Sequence, residues 1–557
     1  MTVGLRLRNR TRFFRLSSAL IAVALVQAQS PPGQSAWTLP DAATTYSATA
    51  LGRAIDADGA TLTLAKSAAS AGGTSMAGAQ FAVVSATVPA EMLRGQRVTL
   101  RGELQTRNAG GASLWMRVDR PAGMLMLDNG LDRALRGDSE WTPFAVTLPV
   151  PSSASSVVIG LMLQGFGSVT ARSVRFEAGP ALRADAPIAA DAKAVVDAAI
   201  DIVRKNAWMR DNIDWTAVEP EVRLFAAGAD KSADVYPAVR YLLASLNDRH
   251  SFLMPPAATT AFRTGGAANP PIDVKALSDR IGYVNVPGYS GVEAAAAKNF
   301  ATKAHEQLAA TIDQADCGWM VDLRGNTGGN MWPMLAGLKP FLGDEPLGTF
   351  VSRENTSPPW RAGQAVGVEP PVGLRKLEQA WVAVLTGPRT ASSGEAVTIA
   401  FKGRPHTRSF GQPTNGLSSA NGTFPLPDGA MILLTTAIEA DRTGKQYGEK
   451  VDPDEIIAAP AAGTSVSSSI DDPTVTAAMS WLKRSCAGQQ PAVSSDPTWT
   501  RRFTSASRRS SRATLARSRF GAAARAARTG NLIGEPKAWR GTSICRRRAI
   551  GPPLSCW

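Results

Sequence analysis

The segment Thr390-Ala391-Ser392-Ser393-Gly394-Glu395 constrains this chain more than any other stretch. The apolar run 381–385 before it reads as a buried strand, and residues 396–401 after it read as a helix. A serine at a strand-to-helix turn stands where backbone N–H groups are free and the helix dipole is positive. Such a place suits stabilisation of an oxyanion. It equally suits a plain helix N-cap, so this segment alone leaves Ser392 with two readings.

At 557 residues the chain is too long for one compact core, so several domains are expected. The net charge of +14 resembles that of a nucleic-acid binder, but its distribution argues otherwise. Residues 501–557 carry about +13 and residues 1–30 about +5, which leaves the body mildly acidic at about −4. A body without a basic stripe excludes nucleic acid as its partner. Residues 1–29 combine five arginines, an apolar run over 16–26 and small residues at Val26 and Ala28. This is the pattern of a cleavable secretory signal peptide, with an apolar run too short to span a bilayer comfortably. No later stretch is apolar enough to cross a membrane, so the mature chain is expected to be exported, periplasmic or extracellular, with no transmembrane segment. Export permits disulfides. Of the four cysteines, Cys317 abuts a core strand and Cys486 closes the last helix of the body; they either pair or stay as two buried thiols.

Composition divides the chain into a multidomain α+β arrangement. Residues 36–182 show short alternating runs (98–104, 112–118, 144–148 and 157–163) broken by Gly, Asn, Asp and Pro. They predict a β-sandwich of jelly-roll type, whose Trp115 and Trp141 are either core or a surface for stacking on carbohydrate. Residues 186–262 have helical period and predict a small helical domain ending at Asn247-Asp-Arg-His-Ser251. Residues 272–486 alternate strand and helix and predict an α/β core. The Arg- and Ser-rich residues 487–557 predict a basic disordered tail.

Two strand-loop-helix units of the core end in features suited to anions. One presents Ser392; the other is Asp322-Leu-Arg-Gly-Asn-Thr-Gly-Gly-Asn330, whose adjacent glycines let backbone N–H groups approach a substrate. The spacing fits neither a dinucleotide fingerprint nor a P-loop, and Thr390 stands where a G-x-S-x-G elbow needs glycine. A serine nucleophile needs a base, and the chain has three histidines: His250, His305 and His406. His305 lies on an Ala-rich helix and is expected to face solvent, His406 lies in a polar loop, and His250 lies at the junction of the helical domain and the core. No cluster of metal-ligating residues is visible, so neither metal nor cofactor is expected.

Five motifs then occur in order: Asn247-Asp-Arg-His-Ser251, Asp322 to Gly329, Thr390 to Glu395, Gly411-Gln-Pro-Thr-Asn-Gly416 and Glu449-Lys-Val-Asp-Pro-Asp454. Together they resemble the C-terminal processing (tail-specific) peptidase family, especially its tricorn-core-like branch, over roughly residues 186–460. The resemblance implies a crotonase-like α/β catalytic core and a peptide or protein substrate. It also implies Ser392 as nucleophile, and an oxyanion hole from the N–H of Ser393 and that of Gly328 or Gly329. The tail-specific branch carries a lysine base where this chain has Leu417. The resemblance therefore points to His250 as base, aided by Glu449, with activity falling on acidification through roughly pH 6–7. About 20 residues between the His250 region and the first core strand leave no room for the PDZ module common in the family. The alternatives are a non-catalytic protein binding peptide or an apolar ligand on the same fold, and a serine esterase. The sandwich is a candidate surface for carbohydrate or protein.

Overall fold

The computed structural model describes residues 46–48, 62–66, 81–264, 269–458 and 472–489. The expected signal peptide, nearly all of the expected tail, Cys545 and Cys556 lie outside the described residues.

Among the described residues the N-terminal part holds eight strands: β1 (Tyr46–Ala48), β2 (Leu62–Lys66), β3 (Phe81–Pro89), β4 (Gln96–Arg120), β5 (Gly123–Asp128), β6 (Leu135–Pro149), β7 (Ser156–Gln164) and β8 (Ser168–Ala181). Sequence reading divides β4 into two strands, because Gly110-Gly111 looks like a turn. The chain instead runs on and changes partners there. The first half of β4 lies between β6 and β8, and the second half between β7 and β5. Gly110 allows the exchange, since a Cβ on it would stand 2.5 Å from the Gln164 carbonyl oxygen. Buried positions alternate along β3, as expected for strands with one face in a core. Trp115 is buried against Val158 and Met162 in a small cluster apart from the main core, whereas Trp141 is half-buried with the Arg172 guanidinium 4.1 Å from its ring centre.

Three helices follow: α1 (Ala190–Asn206), α2 (Trp215–Ala226) and α3 (Tyr236–Ala244). Asp214 caps α2 by accepting the Thr216 and Ala217 N–H groups. Arg97 of β4 donates to the Phe225 and Ala227 carbonyls at the end of α2, fastening this helix to the sheet. A short strand β9 (Phe252–Met254) and helix α4 (Pro256–Thr264) lead into the core.

The core comprises β10 (Asp273–Ala276), β11 (Gly282–Asn285), α5 (Ala294–Thr311), β12 (Trp319–Asp322), α6 (Met331–Gly337), α7 (Lys339–Leu342), β13 (Gly348–Ser352), β14 (Val382–Thr386), α8 (Ser393–Phe401), β15 (Thr407–Gly411), β16 (Ser419–Pro425), β17 (Met431–Asp441), β18 (Glu455–Ile456) and α9 (Pro473–Gln489). One sheet has the order β10-β11-β12-β14-β15-β18, parallel except for the antiparallel edge strand β10. A second sheet sets β17 between β16 on one side and β13 and β9 on the other. Strands β12 and β14 are buried along their whole length, in keeping with parallel strands covered on both faces. Every residue of α8 is buried too, so this is a core helix and not a surface one. Helices α6 and α7 are separated by a break at Leu338, where ψ is 1° and Pro340 follows. Among the described residues no helix is long and apolar enough to cross a membrane.

A disulfide joins Cys317, ahead of β12, to Cys486 near the end of α9, across 169 residues. It holds α9 against β14 and β15, where Val475, Ala478, Met479 and Leu482 pack on Leu385 and Phe410. In the chain-entropy view, closing so long a loop is worth up to about 5 kcal/mol. Cys486→Ser is therefore expected to lower the unfolding free energy by an amount approaching that figure, with a matching fall in the denaturant midpoint, and reductant should do the same to the native chain. Equal midpoints with and without reductant would contradict this.

Candidate active site

Parallel strands β12 and β14 are neighbours, so the loops leaving their carboxyl ends lie side by side, where open α/β sheets place their sites. The loops are laced together. Thr390 Oγ1 donates to the Leu323 carbonyl, and the Ala391 N–H donates to the Asn326 carbonyl. Asn326, fully buried, donates to the Val286 and Pro287 carbonyls and accepts the Gly328 N–H at 2.9 Å.

Ser392 ends the second loop with φ 53° and ψ −125°, values a non-glycine residue rarely adopts. Such strain costs about 1–3 kcal/mol and needs surroundings that enforce it. Glu395 supplies them. Its carboxylate is fully buried and accepts the N–H groups of Ser392 (2.8 Å), Gly416 (2.9 Å) and Leu417 (2.8 Å), together with the Thr414 hydroxyl. The Thr414 oxygen itself accepts the Val451 N–H, so its own proton goes to Glu395. Burial raises the Glu395 carboxyl above its ordinary value, against the opposing pull of the four donors. With donors on every side, the group is a carboxylate. Sequence reading misses its role, although Ser392-x-x-Glu395 has the spacing of a capping box.

His250 reaches Ser392 from the segment after α3. Its Nε2 lies 2.9 Å from Ser392 Oγ and its Nδ1 lies 2.8 Å from Ser419 Oγ. The segment is wound tightly: Asn247 and Arg249 both have positive φ, 58° and 59°. Asp248 accepts the N–H groups of His250 and Ser251 and the Ser251 hydroxyl, while Asn421 Nδ2 donates to the His250 carbonyl. Burial pushes the imidazole down to about 4, against a small opposing pull from Asp248. The ring is therefore neutral at neutral pH, with one nitrogen a donor and the other an acceptor. If Nε2 accepts from Ser392, Nδ1–H donates to Ser419.

Other residues singled out in the sequence stand as follows. Gly328 and Gly329 both have positive φ, 100° and 111°. A Cβ on Gly328 would lie 2.8 Å from the Ala391 carbonyl oxygen and 3.2 Å from Ser392 Oγ, so only glycine leaves the Ser392 hydroxyl open. The Gly328 N–H is taken by Asn326, whereas no hydrogen bond engages the Gly329 N–H or the Ser393 N–H among the described residues. The Ser393 hydroxyl donates to the Gly329 carbonyl and so ties those two residues together. Glu449 is exposed, and no hydrogen bond or ion pair joins its carboxylate to His250. Its backbone carbonyl accepts the Ser418 hydroxyl, and the place beside Nδ1 is filled by Ser419. Sequence alone gives no sign of this, because Ser419 is one of many serines in polar stretches. His305 is buried, not solvent-facing, with Nε2 2.9 Å from the Ala336 carbonyl oxygen. His406 rests on Trp381, ring centres 4.6 Å apart, remote from the sequence positions that meet at Ser392.

A serine hydroxyl at the head of a buried helix, bonded to a neutral imidazole, with unengaged N–H groups at Ser393 and Gly329, has the parts of a nucleophile–base site. Residues 280–457 match the model of peptidase family S41. His250 precedes the matched segment. A nisin-resistance protein of Lactococcus lactis subsp. lactis is 36% identical over 138 residues, 23% of this chain and 42% of that protein. This chain thus matches less than half of that relative's length. A lipoprotein from Streptococcus agalactiae superposes on 54% of the chain and 98% of its own, with 23% identity and a TM-score of 0.45. The photosystem II D1 C-terminal processing protease superposes on 48% of the chain and 94% of its own, with 15% identity and a TM-score of 0.36.

The packing around Gly328 generates a test. Gly328→Ala is expected to keep the secondary structure but to lower hydrolysis of a fluorogenic peptide library by at least about 10²-fold, since small displacements of reacting groups cost that much. Near-native turnover in this variant would contradict the packing described.

Proposed function

We propose that this chain is an exported serine peptidase in which Ser392 is the nucleophile and His250 the general base. The observation that carries the reading is the pair of hydrogen bonds on one buried imidazole, to Ser392 and to Ser419. His250 Nε2 takes the Ser392 proton as Oγ attacks the amide carbonyl, then delivers it to the leaving amine; water subsequently hydrolyses the acyl-enzyme. Ser419 accepts Nδ1–H and keeps the ring in the tautomer that exposes a basic Nε2. The open N–H groups of Ser393 and Gly329 are suited to the developing oxyanion, each worth on the order of 10²–10³ in rate. Gly328 serves this site as open space, its N–H being committed to Asn326. Peptide or protein is the substrate class that follows from family S41. The disulfide supports an oxidising compartment, hence export. A pure binding protein has no use for an imidazole on a strained serine, so catalysis is the better account of that strain.

Substitution of the two adjacent serines separates them. Ser392→Ala should abolish peptide hydrolysis with the fold intact, whereas Ser393→Ala should retain much of it, because its backbone N–H remains. His250→Ala should cost several orders of magnitude, and His406→Ala little. His305→Ala, which empties a buried and bonded position, should lower stability before it lowers turnover. Retained hydrolysis in Ser392→Ala or His250→Ala would contradict the proposal.

The pH dependence differs from that of an ordinary histidine. With His250 held down to about 4, kcat/KM of the free enzyme should fall only as pH drops through about 4, not through 6–7. A histidine depressed in the folded state also costs stability on acidification. The unfolded chain binds the proton first, so stability falls as pH drops from the unfolded value of about 6.5 toward 4. A kcat/KM limb centred at 6.5 would contradict the burial of this base.

A further inference from the structure

A second buried carboxyl group lies behind Glu395. Glu439 is on β17, which packs against α8, and its side chain is 2% exposed. Its backbone is fully engaged: the N–H donates to the Ser418 carbonyl, and the carbonyl accepts the Tyr447 N–H. Its Oε2 has no partner. The contrast with Glu395 decides the charge of each. Glu395 is surrounded by four donors and can be an anion; Glu439 has none to support a charge. Two neighbouring buried carboxyl groups cannot both ionise cheaply.

The surroundings of Glu439 supply no cation to offset a charge. Asp441 on the same strand is engaged by Thr443 and Tyr447. Arg442 turns to the Ala400 carbonyl. The facing residue of β13 is Phe350, and on the other side lies Ser418, just ahead of β16. From α8 comes Glu395, a like charge.

We propose that Glu439 is kept as a neutral carboxylic acid, leaving the one negative charge of the pair on Glu395, which ties the Ser392 backbone to the loop leading to Ser419. The inference rests on the peptidase reading above. Burial, followed by the charge of Glu395, pushes the Glu439 carboxyl well above the usual carboxylate range. Its contribution to stability is therefore fully present below the unfolded value and is lost as pH rises through the folded one. Above that point two anions face each other, and the bonds from Gly416, Leu417 and Ser392 to Glu395 loosen. The site thus has an alkaline limit that originates outside His250 and Ser392.

The test uses the full chain and a fluorophosphonate probe, with the rate of covalent labelling followed against pH. Glu395→Gln puts an amide N–H₂ among N–H donors and should slow labelling about 10²-fold across the range. Glu439→Gln and Glu439→Met, both neutral, should label at the native rate at neutral pH and lose the alkaline decline. Infrared spectroscopy gives a readout independent of activity: the native chain should show a buried carboxylic-acid carbonyl band that Glu439→Gln removes. Slowing at neutral pH in both neutral variants, or an unchanged alkaline limb in Glu439→Gln, would overturn the proposal. So would persistence of the acid band in Glu439→Gln. Because the band is read without turnover, a native chain that never labels would sink the peptidase reading while the infrared result still decided the charge on Glu439.

Discussion

The geometry of the site depends on the Glu395 carboxylate and the four donors around it. Ser392 sits in a backbone conformation that a free chain avoids, and Ser419 arrives from a separate sheet. One buried anion bonds the N–H of the first and the N–H groups of the loop leading to the second. A buried anion so fully coordinated is costly to move, because each lost donor leaves charge unsatisfied in a low-dielectric interior. That cost holds Ser392 in its strained form and fixes the span from Ser392 through His250 to Ser419.

The same logic extends outward. Asp322, at the end of β12, pairs with Arg324, which also reaches Asp472 at the head of α9. Tyr283 Oη donates to Asp322 at 2.7 Å. All four groups are buried or nearly so, and they set the start of the loop that carries Asn326, Gly328 and Gly329. The disulfide at the far end of α9 ties that helix to the chain just ahead of β12. Two polar clusters, one under each loop, thus support the two halves of the site. On the other side, Asp248 and Asn421 hold His250 by its backbone and leave the imidazole free to serve Ser392 and Ser419.

Much of this was legible in the sequence, and what was not has physical reasons. The strand before Ser392 and the helix after it followed from apolar runs, and the two glycines from the need for backbone approach to an anion. His250 emerged from a small supply of histidines and from motif order. Other features escaped. The continuity of β4 through Gly110-Gly111 depends on a close pass by Gln164 that no local rule contains. The burial of His305 depends on α6 lying over α5, a tertiary fact. Ser419 and Glu439 acquire meaning only from residues about 170 and 44 positions away, His250 and Glu395, so neither spacing nor composition marks them.

The central claim is that Ser392 is a nucleophile activated by His250, and covalent chemistry tests it most directly. The native chain, Ser392→Ala and His250→Ala would be treated with a fluorophosphonate and the labelled peptide mapped by mass spectrometry. The account predicts one adduct, on Ser392, absent from Ser392→Ala and formed far more slowly in His250→Ala. An adduct on Ser393, or labelling of equal speed without the His250 imidazole, would contradict it.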